Sequence, residues 1–265
     1  MEPMKRPLCF PGSAPDILYH DLALPHPSPE LHGRPIAFLS DLHYGFFLGD
    51  EAMARIFDMV MAHKPCLILL GGDLADSLPR QRRLCEGPLR MLKAPLGVYC
   101  VPGNNDYEAV KGDYCILRAS LDRAGVRLLV NERLHVPLDT TVLAITGLDE
   151  GKYGSPDPAV AKLPLPSPAL HLLLTHSPWS LAAVLPDAPR TDLILCGHTH
   201  GGQIALPVLP ALAMGYMNPF KQPYFFMSGE RTLLGRRIIV SNGVGCSLLP
   251  LRVFAPPQLH FITVS

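Results

Sequence analysis

The sequence predicts an α/β fold of two packed sheets with helices on the outside, and three observations predict it. Short apolar runs end at Asp41, Asp73 and Asn104, which stand 32 and 31 residues apart, the length of one βαβ unit. Helical apolar spacing fills the intervals between them. From residue 223 the pattern turns strand-rich, so a βαβαβ half followed by a β-rich half divides into two layers of sheet.

Each element follows in order. Residues 1–34, rich in Pro and His with little periodicity, read as an N-terminal arm laid over the domain, with one edge strand. The domain itself spans 35–265. Pro35 to Ser40 reads as a buried strand, 51–63 as an amphipathic helix, and Cys66 to Leu70 as a second strand. A helix is expected over 78–93, a third strand over Gly97 to Val101, and a helix near 111–124. Short strands are expected around 126–137 and 141–147, at His171 to Leu174 and at Asp192 to Cys196. The chain closes with a turn at Gly235 and a last strand near 258–264. Parallel strands with right-handed crossovers present their carboxyl ends along one edge, where ligands of open α/β sheets bind. Motifs one βαβ period apart therefore converge in space.

At 265 residues, 48% apolar and 17% charged, the chain is long and hydrophobic enough for one domain with a large core. Equal numbers of acids and bases leave no broad electrostatic footprint for nucleic acid, which weighs against a nuclease. The seven cysteines are scattered, odd in number and form no CxxC, which points to a reducing compartment rather than a disulfide framework. The N-terminal stretch lacks a signal-peptide apolar core, and no apolar run approaches the ~20 residues of a spanning helix. The expectation is a soluble, cytoplasmic protein.

Polar motifs interrupt the apolar runs at Asp41-Leu42-His43, Gly71-Gly72-Asp73, Gly103-Asn104-Asn105-Asp106, Thr175-His176 and Gly197-His198-Thr199-His200. Each alone is weak evidence: Asp-x-His is common in turns, and Gly-Gly-Asp is an ordinary strand-to-helix turn with an N-cap. Five in series, each ending an expected strand, make coincidence a poor explanation. Carboxylates, imidazoles and an amide without cysteine suit a borderline or hard divalent cation. Asp41, His43, Asp73, Asn104, His176, His198 and His200 exceed the needs of one four-coordinate ion. They suit two ions sharing a carboxylate, the arrangement that clamps an in-line phosphoryl displacement. His20, His26, His32, His63, His135, His171 and His260 lack such spacing and are assigned to arm, surface or core.

These motifs resemble those of the calcineurin-like metallophosphoesterases, whose pattern is D-x-H, G-D, G-N-H-D or G-N-H-E, a separate His, and G-H-x-H. The resemblance runs from about residue 35 to the end. It implies a four-layer α/β/β/α sandwich of two packed mixed sheets flanked by helices. It implies that Asp41, His43 and His200 hold one metal, that Asn104, His176 and His198 hold the other, and that Asp73 bridges. A metal-bridging hydroxide is then the expected nucleophile on a phosphodiester or pyrophosphate. Mn is the expected metal, with Fe and Zn accepted by the same ligands. Gly197 to Gln203, Ser241 to Gly245 and Leu249-Pro250-Leu251-Arg252 are similar to one bacterial branch. That branch includes membrane-associated phosphodiesterases and the UDP-2,3-diacylglucosamine pyrophosphohydrolase of lipid A synthesis.

Asn105 departs from the pattern. The family usually has a histidine there that assists the leaving group and is oriented by the next acidic residue, here Asp106. An amide can hydrogen-bond a phosphoryl oxygen but cannot deliver a proton. Asn105 is therefore either a turn residue or the mark of a substrate whose leaving group needs little protonation. A phosphate leaving group, with its second pKa of about 6, meets that condition better than an alkoxide. A catalytically weakened binding protein is the alternative. The uncharged stretch 204–220, interrupted by Pro207, Pro210 and Pro219, is expected to form an apolar loop or lid beside the metals. Its expected partner is a small-molecule or lipid-linked phosphoester, with peripheral contact to the cytoplasmic face of a membrane.

Overall fold

The computed structural model describes residues 7–24, 28–186, 190–206, 221 and 224–265. The apolar stretch expected at 204–220 thus lies, from residue 207 on, outside the described residues. The first half contributes β1 (Leu8–Cys9), β2 (Asp16–Leu22), β3 (Ile36–Leu39), α1 (Asp50–Ala62), β4 (Leu67–Leu70), α2 (Leu78–Glu86), β5 (Val98–Cys100), α3 (Asn104–Val110), α4 (Tyr114–Arg123) and β6 (Arg127–Leu128). The second half contributes β7 (Glu132–Pro137), β8 (Val142–Gly147), α5 (Pro158–Ala161), β9 (Ala169–Leu174), α6 (Leu181–Val184), β10 (Leu193–Cys196), β11 (Gly229–Leu233), β12 (Arg236–Val240), β13 (Arg252–Val253) and β14 (Gln258–Val264).

Two mixed six-stranded sheets result, ordered β2-β14-β3-β4-β5-β6 and β11-β12-β10-β9-β8-β7, while β1 and β13 pair separately. β3, β4, β5 and β6 are mutually parallel, as are β8, β9, β10 and β12. Strand alternation sets the layers. Ile36 and Phe38 of β3 join Leu67, Leu69, Leu172, Leu174, Leu193 and Leu195 in a core between the sheets. Ala37 and Leu39 point the other way, into a second core that α1 caps with Met53, Ile56, Phe57 and Val60. That i, i+3, i+4, i+7 spacing puts one stripe of α1 on the sheet, and Asp50 and Glu51 suit the positive end of its dipole. On the far side, Leu173, Ile194, Ile238 and Val240 pack against Ala161, Leu181, Val184 and Phe226. The result is the expected sandwich, with a thinner outer layer over the second sheet.

Three elements differ from the sequence reading. The helix expected over 78–93 ends at Glu86, because Pro88 disfavours helical backbone at Gly87 (φ −111°, ψ −115°); a 3-10 turn over Pro88–Met91 follows. The helix expected near 111–124 is α4, and a separate short helix the sequence reading lacked, α3, precedes it; Lys111 and Gly112 adopt left-handed backbone at φ +52° and +78° and stop α3. The run 126–137 splits into β6 and β7, which belong to different sheets. The break comes at Asn131, at φ +49°, where the chain crosses from one layer to the other.

Candidate metal centre

Every candidate ligand leaves the carboxyl end of a parallel strand: Asp41 and His43 after β3, Asp73 after β4, Asn104 after β5, His176 after β9, and His198 and His200 after β10. Backbone hydrogen bonds stitch these ends together. Asp41 N–H donates to Gly72 O at 2.9 Å, His43 N–H to Asp73 O at 3.1 Å and Gly197 N–H to His176 O at 2.8 Å. His198 N–H reaches across the sheets to Asp41 Oδ1 and Oδ2, both at 3.1 Å. Gly243 to Gly245, after β12, close the seam, with Gly245 N–H donating to Asp41 O at 2.7 Å.

The backbone is strained where the ligands sit. Asp41, His43, Asp73, His198 and His200 all have φ between +43° and +71°, a region that costs a non-glycine residue about 1–3 kcal/mol. Strain repeated at five ligand positions marks a functional constraint that turn chemistry alone does not explain. Glycines make the approach possible. A Cβ on Gly103 would lie 2.1 Å from Asp73 Oδ1, and one on Gly197 would lie 2.4 Å from Asp41 Oδ2.

The side chains converge in two groups, Asp41 with His43 and His200, and Asp41 with Asp73 and His176. His43 Nε2 is 3.1 Å from His200 Nε2, and His200 Nε2 is 3.5 Å from Asp41 Oδ1. Asp73 Oδ2 stands between the groups, 3.6 Å from His43 Nε2 and 3.4 Å from His176 Nε2. Asn104 Oδ1 and His198 Nδ1 complete the second group, each 3.3 Å from His176 Nε2. The structure brings all seven sequence-derived candidates together.

Partners outside the groups orient the rings. His43 Nδ1–H donates to Asp76 Oδ1 at 2.7 Å, and His176 Nδ1–H to Gly71 O at 2.7 Å. Such outer hydrogen bonds fix which nitrogen faces a metal. Arg252, buried and bonded to the carbonyls of Asn242 and Ala255, donates to His200 O at 3.2 Å and sets its guanidinium 3.1 Å from His200 Nδ1. Gly245 O also accepts from Arg252, at 2.9 Å from Nε. Asp76 escaped the sequence reading because nothing in its local pattern shows that α2 begins beside His43. Arg252 had appeared only as part of a similar motif.

Burial opposes charge throughout, and the balance differs by residue. Burial disfavours ionised Asp73, but the surrounding imidazoles, His176 foremost, hold its carboxyl well below the usual carboxylate range. Burial pulls His176 down while Asp73 outweighs it, and the imidazole is pushed up to about 10. His198 is driven down to about 3 by burial and then by the His176 charge, and His200 falls for the same kind of reason beside His43 and Arg252. Neutral His198 and His200 and an ionised Asp73 are the states a divalent ion requires of its ligands, and a cation bound beside Asp73 would take the place of the proton that His176 otherwise holds. The donor set and its convergence therefore fit a metal pair, with Asp41, His43 and His200 on one side, Asn104, His176 and His198 on the other, and Asp73 between.

The GNND segment has two separate roles. Asn105 points at the centre: its backbone N–H donates to Asp73 Oδ1 at 2.8 Å and its Nδ2 to Asp73 Oδ2 at 2.7 Å. Asp106 points away. Its fully buried carboxylate accepts from Gly103 N–H at 3.0 Å, Leu74 N–H at 3.0 Å and Gln81 Nε2 at 2.9 Å, tying the loops after β4 and β5 to α2. Its hydrogen bonds do not reach the side chain of Asn105.

A sequence profile of calcineurin-like phosphoesterases matches residues 34–202, the span that carries all seven candidate ligands. The chain belongs to that family. This calcineurin-like phosphoesterase is 32% identical over 241 residues to a putative metallophosphoesterase of Caenorhabditis elegans, covering 87% of this chain and 48% of the worm protein. It is 30% identical to an uncharacterized metallophosphoesterase of Campylobacter jejuni, covering 94% of this chain and 63% of that protein. It is 29% identical to the Escherichia coli phosphodiesterase YaeI, covering 86% of this chain and 80% of YaeI. The chain thus spans about half of the worm protein and under two thirds of the Campylobacter one.

Proposed function

We propose that this calcineurin-like phosphoesterase is a dinuclear metal-dependent hydrolase of phosphodiester or pyrophosphate bonds whose leaving group departs without a proton. The carrying observation is the Asn105 amide held 2.7 Å from Asp73 Oδ2, where the family usually places an imidazole. Two divalent ions on the seven ligands would supply Lewis acidity towards the phosphoryl oxygens and an acidified water. The mixed nitrogen and oxygen donors favour Mn, with Fe and Zn acceptable. Asn105, anchored through both its backbone and its side-chain amide, is placed to orient a phosphoryl oxygen and has no proton to give. Asp106 keeps Asn104 and Asn105 in register by fixing Gly103. The name of the 29% identical relative, phosphodiesterase YaeI, agrees with a diester substrate.

A second reading adds a lipid-linked substrate, as in the branch that includes the UDP-2,3-diacylglucosamine pyrophosphohydrolase. Ile204 and Leu206, just after His200, are 36% and 38% exposed, and Leu248 and Leu249 beside them are 82% and 47% exposed. Gln203 Nε2 ties the two segments by donating to Ser247 O at 2.6 Å and Leu249 O at 3.1 Å. Apolar side chains at that position suit acyl chains or peripheral contact with the cytoplasmic face of a membrane. Among the described residues, no helix is long and apolar enough to cross one. Seven free cysteines, all buried except Cys115, agree with a cytoplasmic setting.

The test is a panel on Mn-loaded protein: bis(4-nitrophenyl) phosphate, a diphosphate diester, UDP-2,3-diacylglucosamine, an alkyl phosphodiester and single-stranded DNA. The proposal expects the first two to turn over and the alkyl diester to lag far behind. Preference for the alkyl diester or for DNA would overturn it. Selective turnover of the lipid nucleotide would establish the second reading.

A further inference from the structure

The loop between β8 and α5 carries an exposed cation, Lys152, and two buried carboxylates fix the loop's shape. Asp149 and Glu150 are both buried. Asp149 accepts from Tyr114 OH at 2.5 Å, Glu150 N–H at 2.7 Å and Ser155 N–H at 2.8 Å. Glu150 accepts from the backbone N–H groups of Lys152, Tyr153 at 2.6 Å and Gly154 at 3.3 Å. Its charge is spent on the loop backbone. The Lys152 ammonium lies instead over the ring of Tyr153, 4.6 Å from its centroid, and stays exposed.

The loop packs on the segments that follow two ligands of the second metal group. Tyr153 stacks on Tyr107 of α3, three residues beyond Asn104, with ring centroids 6.0 Å apart and planes at 29°. A Cβ on Gly151 would lie 3.1 Å from Ser180 Oγ and 3.6 Å from Ser177 Cβ, just beyond His176. Lys152, between Gly151 and Tyr153, is therefore bracketed by the segments that follow His176 and Asn104. Asn105 lies beside Asn104 at the start of α3.

We infer that Lys152 is a specificity-determining residue that binds an anionic, phosphate-terminated leaving group. This rests on the proposed function. When water attacks phosphorus, a new P–O bond forms and the bond to the bridging oxygen breaks; the electron pair passes to the departing phosphate and the protons of the attacking water pass to solvent or stay on the phosphate it joins. That added charge needs no proton, and the Lys152 ammonium neutralises it where Asn105 cannot.

The experiment compares two diaryl substrates whose leaving groups differ in charge, on Mn-loaded protein. P1,P2-diphenyl diphosphate releases phenyl phosphate, and bis(4-nitrophenyl) phosphate releases a phenolate. Loss of one charged hydrogen bond in Lys152→Met should lower kcat/KM for the diphosphate about 10-fold or more while the diester changes less than about 3-fold. Lys152→Arg should restore most of the difference. Inhibition of diester hydrolysis supplies a binding readout: diphenyl methylenediphosphonate should weaken in Lys152→Met, and diphenyl phosphate should not. Equal losses on both substrates, or no loss on either, overturn the role of Lys152. Should the unsubstituted protein cleave only the diester, the pyrophosphate reading falls, and the inhibitor pair still decides Lys152: an unchanged ratio overturns it, a selective loss sustains it.

Discussion

Asn105 holds Asp73 with both of its amides, the backbone N–H on Oδ1 at 2.8 Å and the side-chain Nδ2 on Oδ2 at 2.7 Å. Asp73 Oδ2 also faces both metal groups, 3.6 Å from His43 Nε2 and 3.4 Å from His176 Nε2. The residue that departs from the family pattern is thus joined to the carboxylate between the two metal groups. Asn105→His should raise turnover of esters with poor leaving groups more than of those with good ones, because only the former need a proton. The check is a series of aryl phosphodiesters of graded leaving-group pKa. A uniform change across the series would show that residue 105 only positions phosphate or shapes the turn.

Asp106 should behave as a structural anchor. Asp106→Asn sets an amide NH2 in place of one carboxylate oxygen, against at least one of the three donors aimed at the site, and a buried unsatisfied donor costs about 1–3 kcal/mol. Thermal unfolding of the metal-free protein should show a Tm several degrees lower, with metal affinity falling as the Gly103 loop loosens. An unchanged Tm with lost activity would assign Asp106 a direct chemical role instead.

Most of the first half of the fold was legible because each strand end coincides with a polar motif, so that Asp41, Asp73 and Asn104 mark both the boundary and the site. The breaks at Gly87, Lys111 and Asn131 were not, since a local turn between two good helical or strand patterns leaves the periodicity on either side intact. The ligand set was visible in the spacing. Its supporting contacts, Asp76 on His43 and Arg252 on His200, join residues 33 and 52 positions apart and exist only once both sheets are packed. Nor did the pattern show that Asp106 turns away from Asn105, because its direction at the start of α3 is set by the Gly103 and Leu74 N–H groups that its carboxylate accepts.

Gly103→Ala should disable the centre without a change of fold. The backbone there is extended at φ −98°, so alanine is conformationally acceptable, and the obstacle is a Cβ 2.1 Å from Asp73 Oδ1. Overpacking of this kind costs about 1–3 kcal/mol. Circular dichroism should be native-like, and isothermal titration calorimetry should show loss of at least one Mn site. Two Mn bound at unchanged affinity would show that the loop can yield and that the crowding is not a constraint.

His171 gives a pH dependence separate from the metals. Burial drives it down to about 4 from 6.5, its Nε2 is 2.8 Å from Thr146 Oγ1 and its Nδ1 is 3.0 Å from Arg190 O. Between these values the unfolded chain binds a proton that the folded chain does not, so stability falls as pH drops from 6.5 towards 4, by on the order of 1–3 kcal/mol. Urea unfolding at pH 7 and pH 5 should show the slope in the parent chain and a shallower one in His171→Gln. Equal slopes would place the titration elsewhere.

Hydrolysis should depend on a metal pair organised by Asp73. The most direct measurement is metal content by mass spectrometry alongside bis(4-nitrophenyl) phosphate turnover, for the chelated, the Mn-reconstituted and the Asp73→Ala protein. The account predicts about two ions per chain at full activity, loss of activity on chelation, and neither activity nor paired binding in Asp73→Ala. Full activity in the thoroughly chelated protein, or in Asp73→Ala, would contradict it.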